Sequence, residues 1–157
     1  MRRSWMVLAL LLGLAVLPQQ PATSGLEDIL EKWLALSGEM AVQNQYVESS
    51  DSQLRARAEN IARRLLPHTK RKNIRYKIRV FQGTSYNAFA IAGGTIGIFE
   101  GTLRHSANND SEVAAVFAHE IAHVEQKHLL KMAPYILGPQ LLNLITDGKL
   151  DQSKLLQ

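Results

Sequence analysis

The sequence predicts an α+β domain, in which helices come first, a short run of strands follows, and helices return. Three observations carry this prediction. Apolar residues recur at helical spacing before Pro67, polar and apolar residues alternate from Ile74 to Phe81, and a second helical pattern surrounds two histidines four residues apart. The 157 residues suffice for one domain with a modest core, and an apolar content of 46% is typical of a globular protein.

The first 24 residues are predicted to be a secretory signal peptide. Arg2 and Arg3 precede an apolar run from Trp5 to Leu17, which is too short to span a bilayer comfortably. The segment Ala22-Thr23-Ser24 then offers the small residues that signal peptidase prefers. An uncleaved membrane anchor is the alternative. We therefore expect residues 25–157 to form the domain of an exported protein, which in the alternative case would stay attached to a membrane.

Charge and cysteine content exclude several kinds of site. Removal of Arg2 and Arg3 lowers the formal net charge from +4 to +2, so the basic composition of the whole chain does not argue for a nucleic-acid partner. The chain contains no cysteine, which excludes a disulfide scaffold, a thiolate zinc site and a lipid anchor through cysteine.

Two helices are predicted before the strands. The first runs from about Glu27 to Leu36 and is broken or bent at Ser37-Gly38, and the second begins after the capping candidates in ESSDSQ and is closed by Pro67. Each is marked by apolar residues at helical spacing: Leu26, Ile29, Leu30, Trp33 and Leu34 in the first, and Leu54, Ala58, Ile61, Ala62, Leu65 and Leu66 in the second.

The middle of the chain predicts strands. Alternation in IRYKIRVF indicates a half-buried strand whose arginines and lysine share a solvent-exposed face. The segment SYNAFAIAGGTIGIFEG predicts two short strands joined by a tight turn at Gly93-Gly94. A long helix from Ser111 to about Met132 follows, with Asn109 or Asp110 as its N-cap and Pro134 at its end. A further apolar segment, YILGPQLLNLIT, is interrupted at Gly138-Pro139.

The window VFAHEIAHVEQKH in the long helix predicts a zinc site. His119 and His123 are four residues apart, so both imidazoles lie on one face and can bind one Zn²⁺. Glu120 points about 100° away and can act on a water held there as general base. The alternative is a buried helix with incidental polar groups, but two unpaired histidines among alanines would be costly without a partner.

Other polar residues near this window have less direct interpretations. His128 lies about 140° from the ligand face of a continuous helix, which favours a surface or supporting group over a ligand. His68 and His105 are expected in loops. Glu112 is either a supporting partner of an imidazole N–H or, as we favour, a helix N-terminal carboxylate that interacts with the dipole.

Two motifs in order, NAFAIAGGTIGIFEGTL and SEVAAVFAHEIAHVEQKHLLKM, resemble the HtpX/BepA-like zinc metallopeptidases of the gluzincin clan. The similarity covers roughly Val47 to Met132. It implies a zincin-like fold with a small mixed sheet, an exposed edge strand and a long active-site helix. His119 and His123 would bind Zn²⁺, Glu120 would be the general base, and a substrate chain would pair with an edge strand formed by Asn87, Ala88, Phe89 and Ala90.

With the signal peptide, the resemblance implies the periplasmic branch of this family, which acts on unfolded or misassembled exported proteins. Its implied partners are unfolded polypeptides and the outer-membrane assembly machinery, with no nucleic acid.

The resemblance fails at the third zinc ligand. Gluzincins take it from a glutamate in a Glu-Ala-Asp-like segment downstream, but here no glutamate follows Glu125. Asp147 and Asp151 are the later acids. We therefore expect either a chain truncated before the third ligand, which the apolar segment after Met132 favours, or a natural short form in which one of these aspartates serves.

Two other classes remain open at this stage. A zinc-holding, peptide-binding relative could retain chains without cleaving them. A basic module that uses HTKRKNIRYKIR could instead bind nucleic acid or a membrane surface, but the low charge of the mature chain and the alternation of its strand count against it.

Overall fold

The computed structural model describes residues 23–133 together with residues 135 and 138. Residues 1–22 of the predicted signal peptide, and the candidate ligands Asp147 and Asp151, lie outside the described residues. No helix among the described residues is both long and apolar enough to cross a membrane.

The described elements follow the predicted order of helices, strands and helices, which confirms the α+β class. In chain order they are α1 (Thr23–Gln45), α2 (Ser52–Leu65), a 3-10 turn (Leu66–His68), β1 (Lys77–Phe81), β2 (Ala88–Ala90), β3 (Thr95–Phe99), α3 (Glu100–His105) and α4 (Asp110–Glu125). A further helical segment, which we call α5, covers residues 128–133.

The three strands form a mixed sheet in the order β1-β3-β2. Strand β1 runs parallel to β3, with Lys77 opposite Thr95, and β2 runs antiparallel to β3, with Phe89 opposite Gly97. The predicted tight turn joins β2 to β3. Its Gly93 and Gly94 take φ values of 82° and 99°, which residues with a side chain rarely adopt. Strand β2 therefore lies at an edge of the sheet.

Helices cover both faces of this sheet. One face packs against α2 and α4 through a fully buried core that includes Ile61, Val80, Ile96, Ile98 and Phe117. The other face packs against α1 through an aromatic cluster of Tyr46, Phe81, Phe89 and Phe99, whose ring centroids lie 5.1 to 6.2 Å apart.

The prediction of a solvent-exposed face on β1 is therefore wrong at its C-terminal end. Phe81 is fully buried under α1. Arg79 lies over the Phe81 ring and forms ion pairs with Glu39 at 2.9 Å and Glu48 at 2.6 Å. Lys77, at the other end of the strand, is exposed as predicted. Because Arg79 pairs with two carboxylates from distant segments, it can be partly buried on a face that the alternation alone predicts to be exposed.

Helix α1 runs without interruption through Ser37-Gly38, where the sequence predicted a break. The Ser37 hydroxyl donates a hydrogen bond to the carbonyl of Trp33, at 2.9 Å, within the helix itself. Gly38 faces Ile91, and a Cβ at this position would overlap Cγ2 of Ile91. The glycine therefore permits close approach of α1 to the sheet rather than ending the helix.

The predicted helix from Ser111 to Met132 is two helices in the structure. The first ends at Glu125, and Lys127 takes a φ of 52°, which turns the chain before α5 begins. After this turn, Leu129 and Leu130 pack beside Leu34 of α1. The burial of these leucines favours the break over a straight continuation into solvent.

Two glycines of α1 provide a matched test of the close approach. Gly38→Ala should lower the free energy of unfolding by about 1–3 kcal/mol, because the added methyl group displaces Ile91. Gly25→Ala in the same helix should leave stability unchanged or raise it by up to about 1 kcal/mol, since its Cβ would meet open space. Urea unfolding measures the stability of both variants, and equal effects at the two positions would contradict the role of Gly38 in the close approach of α1 to the sheet.

Candidate metal centre

The N-terminus of α4 is fixed by side-chain caps. The Asn109 side-chain oxygen accepts hydrogen bonds from the backbone N–H groups of Ser111 and Glu112, at 3.2 and 3.4 Å. The Glu112 carboxylate accepts from the Ser106 hydroxyl at 2.7 Å and from the Asn109 amide at 2.9 Å. This geometry supports the helix-terminal interpretation of Glu112 over an imidazole-supporting one, and Asn109 is the N-cap.

The rotation of α4 about its axis is set by burial. An apolar stripe at helical spacing, formed by Val113, Phe117, Ile121 and Val124, is buried at all four positions. The opposite side of the helix consequently faces outward. His119 is exposed there, and Glu120 and His123 are half-buried.

The two predicted ligands point their Nε2 atoms at each other. These atoms are 3.1 Å apart, and the imidazole rings meet edge to face with centroids separated by 4.8 Å. Two nitrogens bound at 2.0–2.1 Å to a tetrahedral zinc ion lie about 3.3 Å apart. The pair fits a zinc ion with little movement, and Glu120 follows the first imidazole on the same rigid helix.

His128 belongs to this cluster, although the sequence placed it away from the ligand face. The turn at Lys127 brings the His128 ring against His123, with Nδ1 of each ring 2.8 Å apart. The other two histidines lie elsewhere: His105 meets the Tyr86 ring edge to face with centroids 5.1 Å apart, and His68 ends the 3-10 turn. A helical-wheel argument cannot find the His128 contact, because it assumes a continuous helix.

The edge strand β2 lies beside α4. Ala90 and His123 line the same small cavity between the strand and the helix. Residues of an antiparallel strand alternately direct their peptide groups inward and outward, and Ile91 donates its N–H inward to the carbonyl of Thr95. Ala88 and Ala90 therefore direct theirs toward the open edge.

The two remaining residues of the predicted substrate strand turn inward. The backbone N–H and C=O of Asn87 are both bonded to the Thr102 hydroxyl, at 2.8 Å each. The Phe89 ring lies in the aromatic cluster under α1. The Ala88 N–H is itself bonded to the side-chain oxygen of Asn87, at 2.9 Å. Among the described residues, the open edge is consequently formed by the Ala88 carbonyl and by the N–H and C=O of Ala90.

The C-terminal end of α4 is anchored by a polar network around Glu125. Its carboxylate accepts hydrogen bonds from the Tyr76 hydroxyl at 2.6 Å and from the Lys70 backbone N–H at 2.7 Å. Arg71 forms a two-pronged pair with Glu31 of α1, at 2.7 Å for each bond. Arg71 also donates its backbone N–H to Glu125 at 3.2 Å and a side-chain N–H to the Val124 carbonyl at 3.0 Å. The network therefore ties the helix end that follows His123 to α1 and to the segment before β1.

This network shifts two ionisation equilibria. Burial alone would raise the pKa of Glu125, but hydrogen bonds from Tyr76 and from two backbone N–H groups outweigh it and hold that pKa below the ordinary 4.5. Burial, and next the hydrogen bond to Glu125, raise the pKa of the Tyr76 hydroxyl. Both shifts favour the protonated phenol beside the ionised carboxylate.

Within residues 23–133, no three histidine or acidic side chains converge on one point. The two imidazoles of α4 therefore remain the candidate ligands in the described part of the chain.

A helix with the His-Glu-x-x-His pattern beside an open sheet edge is the arrangement of a metal-dependent peptidase. The chain matches the model of Peptidase family M48 over residues 48–152, and it belongs to that family. This membership confirms the predicted resemblance to the zinc metallopeptidases.

The chain is similar to individual curated proteins at low sequence identity. The chain is 29% identical to the beta-barrel assembly-enhancing protease of Escherichia coli K12 over 106 residues, 62% of this chain and 22% of the relative. It is 30% identical to the metalloprotease LoiP of the same organism over 115 residues, 69% of this chain and 44% of the relative. It is 26% identical to the mitochondrial metalloendopeptidase OMA1 of Schizosaccharomyces pombe over 93 residues, 59% of this chain and 27% of the relative. The chain thus spans less than half the length of each.

The Glu125 network predicts a pH-dependent difference in stability. Tyr76→Phe should lower the free energy of unfolding by about 1 kcal/mol at pH 7, because it removes a hydrogen bond to a carboxylate. The pKa of Glu125 is lower in the folded chain than the value of 4.5 for the unfolded chain. Its ionised carboxylate therefore stabilises the fold fully above pH 4.5, and this contribution is lost as the pH falls through the folded-state pKa.

The difference in free energy of unfolding between wild type and Tyr76→Phe should therefore shrink below pH 4.5. Urea unfolding at a series of pH values measures it, with Tyr86→Phe, an exposed tyrosine outside the network, as the control. A difference that stays constant down to about pH 3 would refute the role of Glu125.

Proposed function

We propose that this chain is the zinc-binding part of a zincin-like endopeptidase that hydrolyses peptide bonds in unfolded or misassembled exported proteins. The observation that carries the proposal is the pair of Nε2 atoms of His119 and His123, 3.1 Å apart on a rigid helix beside an open sheet edge. Membership in Peptidase family M48 supports a metal-dependent peptidase over a purely structural metal site.

The residues of α4 divide the chemistry among them. His119 and His123 would hold the zinc ion through Nε2, and zinc supplies Lewis-acid activation of the scissile carbonyl and of water. Glu120 accepts the proton of the attacking water and donates it to the leaving amine. Because the helix fixes all three side chains relative to one another, the base stays close to the ligand pair throughout the reaction.

The edge strand gives this proposal its substrate class. The outward carbonyl of Ala88 and the outward N–H and C=O of Ala90 can pair with an extended chain, and small side chains at both positions leave room for it. Main-chain pairing carries little sequence preference and requires an extended substrate. An unfolded polypeptide meets that requirement, whereas a folded protein does not.

The cellular setting is proposed from two sources. The N-terminal segment has the features of a signal peptide, and one relative is named a beta-barrel assembly-enhancing protease. Together they support export to the bacterial periplasm and action close to outer-membrane assembly. In the basic stretch of residues 68–79, Arg71 and Arg79 form ion pairs with glutamates of α1, which does not favour a nucleic-acid surface.

A second candidate is a relative that holds zinc and peptides without cleaving them. It is favoured by the absence of a third converging ligand among residues 23–133. The two candidates differ in whether Glu120 matters for a measurable reaction.

Glu120→Gln distinguishes the candidates. A peptidase should retain its zinc in this variant and lose casein cleavage by at least about 100-fold, because the proton acceptor is removed. Glu59→Gln, the same change at an exposed position of α2, should alter neither. His119→Ala should lose zinc and lower stability. Cleavage that persists in Glu120→Gln would reject the general-base role, and zinc binding without any cleavage by wild type would favour the binder.

Proline substitution tests the substrate strand. Ala90→Pro removes an outward N–H and should weaken cleavage of casein by about 10-fold or more while the fold persists, because edge strands tolerate proline. Phe89→Pro removes an N–H that faces β3 and should instead lower the unfolding temperature. Unchanged cleavage kinetics in Ala90→Pro would exclude pairing at this edge.

A further inference from the structure

The contacts of His128 give it a role for which a helical wheel offers no clue. Its Nδ1 lies 2.8 Å from Nδ1 of His123, and its Nε2 lies 3.0 Å from the side-chain oxygen of Gln126. The two rings meet edge to face, with centroids 4.8 Å apart. His128 is therefore held between Gln126 and a predicted zinc ligand.

With the side-chain oxygen of Gln126 facing His128, these contacts favour one placement of the protons on the neutral rings. An amide oxygen only accepts hydrogen bonds, so Nε2 of His128 carries the proton that points to Gln126. A neutral imidazole has one N–H, and Nδ1 of His128 is consequently an acceptor. Its partner, Nδ1 of His123, must then be the donor.

The consequence falls on the other nitrogen of His123. With its proton on Nδ1, Nε2 of His123 presents a lone pair, and this is the atom that faces Nε2 of His119. A neutral histidine free in water places its proton mostly on Nε2, which would direct an N–H at the metal position instead. The contact with His128 favours the tautomer that can bind a metal.

We propose that His128, held by Gln126, is a positioning residue that keeps His123 in the Nδ1–H tautomer required for zinc binding through Nε2. The inference rests on the proposed function, since it takes His119 and His123 as the ligands. His128 does not act as the third ligand, because it meets the nitrogen of His123 that diverges from the metal position. Zinc-bound histidines commonly donate their second N–H to an acceptor, and here the acceptor is another imidazole.

The turn after α4 explains how the chain builds this arrangement. Gln126 donates its backbone N–H to the Ala122 carbonyl at 3.0 Å, and the left-handed Lys127 then reverses the direction of the chain. The side chain of Lys127 pairs with Glu27 of α1 at 2.9 Å, which holds the turn in place. The break in the helix thus places the supporting imidazole against the ligand.

Two substitutions at His128 distinguish the effect of its hydrogen-bond acceptor from the effect of its ring volume. His128→Phe keeps a ring but removes both nitrogens, and it should weaken zinc binding by about 10- to 100-fold. His128→Asn keeps an oxygen acceptor near the position of Nδ1 and should stay within about 5-fold of wild type. His105→Phe, which keeps an aromatic ring against Tyr86, is the control and should bind zinc as wild type does.

The full chain is titrated with zinc against a chromophoric chelator at one fixed pH. Equal affinities of His128→Phe and wild type would overturn the proposal, as would equal losses in His128→Phe and His128→Asn. If His128→Phe does not fold, Gln126→Ala provides the same test, since it removes the exposed acceptor that fixes the His128 tautomer. It should weaken binding in the same direction, and an unchanged affinity overturns the proposal.

A measurement without metal separates this inference from the proposed function. Nitrogen-15 NMR of the histidine-labelled, metal-free chain at a pH where the rings are neutral reports which nitrogen of His123 carries the proton. We expect the Nδ1–H form in wild type and a shift toward Nε2–H in His128→Phe. An Nε2–H form in wild type overturns the inference, whereas a chain with the Nδ1–H form that binds no zinc overturns the proposed function alone.

Discussion

The burial of one stripe of α4 against the sheet is the constraint on which the site depends. Val113 and Phe117 are fully buried, and each such side chain contributes about 1.5–3 kcal/mol relative to an exposed one. A rotation of the helix by one residue would expose Phe117 and bury imidazoles without partners, at a cost on both counts. The direction of His119, Glu120 and His123 thus follows from hydrophobic packing and needs no bound group to establish it.

The same packing brings the edge strand β2 to the candidate site. The two glycines after β2 reverse the chain so that β3 can occupy the centre of the sheet, and β2 is left at the edge beside α4. Its alanines direct peptide groups outward, while its phenylalanine anchors the strand under α1. The result is a rigid helix that bears the polar groups beside a strand that is fixed on one side and open on the other.

Local patterns in the sequence predicted the elements whose signals are local. The capping of α2 and α4, the glycine turn and the buried stripe of α4 all follow from residues within a few positions of each other. The predictions were wrong where contacts between residues distant in sequence determine the local structure. Gly38 was assigned to a break because its packing against Ile91 is invisible locally, and Arg79 was assigned to solvent because its glutamate partners lie on other segments.

The candidate site divides in the same way. The placement of His119, Glu120 and His123 on one helix, with the two imidazoles side by side, could be predicted because a helix of known period fixes their relation. His128 could not, because its contact depends on a left-handed turn that the burial of Leu129 and Leu130 against α1 favours.

The central claim is that the two imidazoles of α4 bind zinc directly, and X-ray absorption at the zinc edge of the loaded chain tests it most directly. The account predicts nitrogen scatterers at about 2.0–2.1 Å with the outer-shell pattern of two imidazoles, reduced to one in His123→Ala. A spectrum of oxygen ligands alone, unchanged by that substitution, would contradict it.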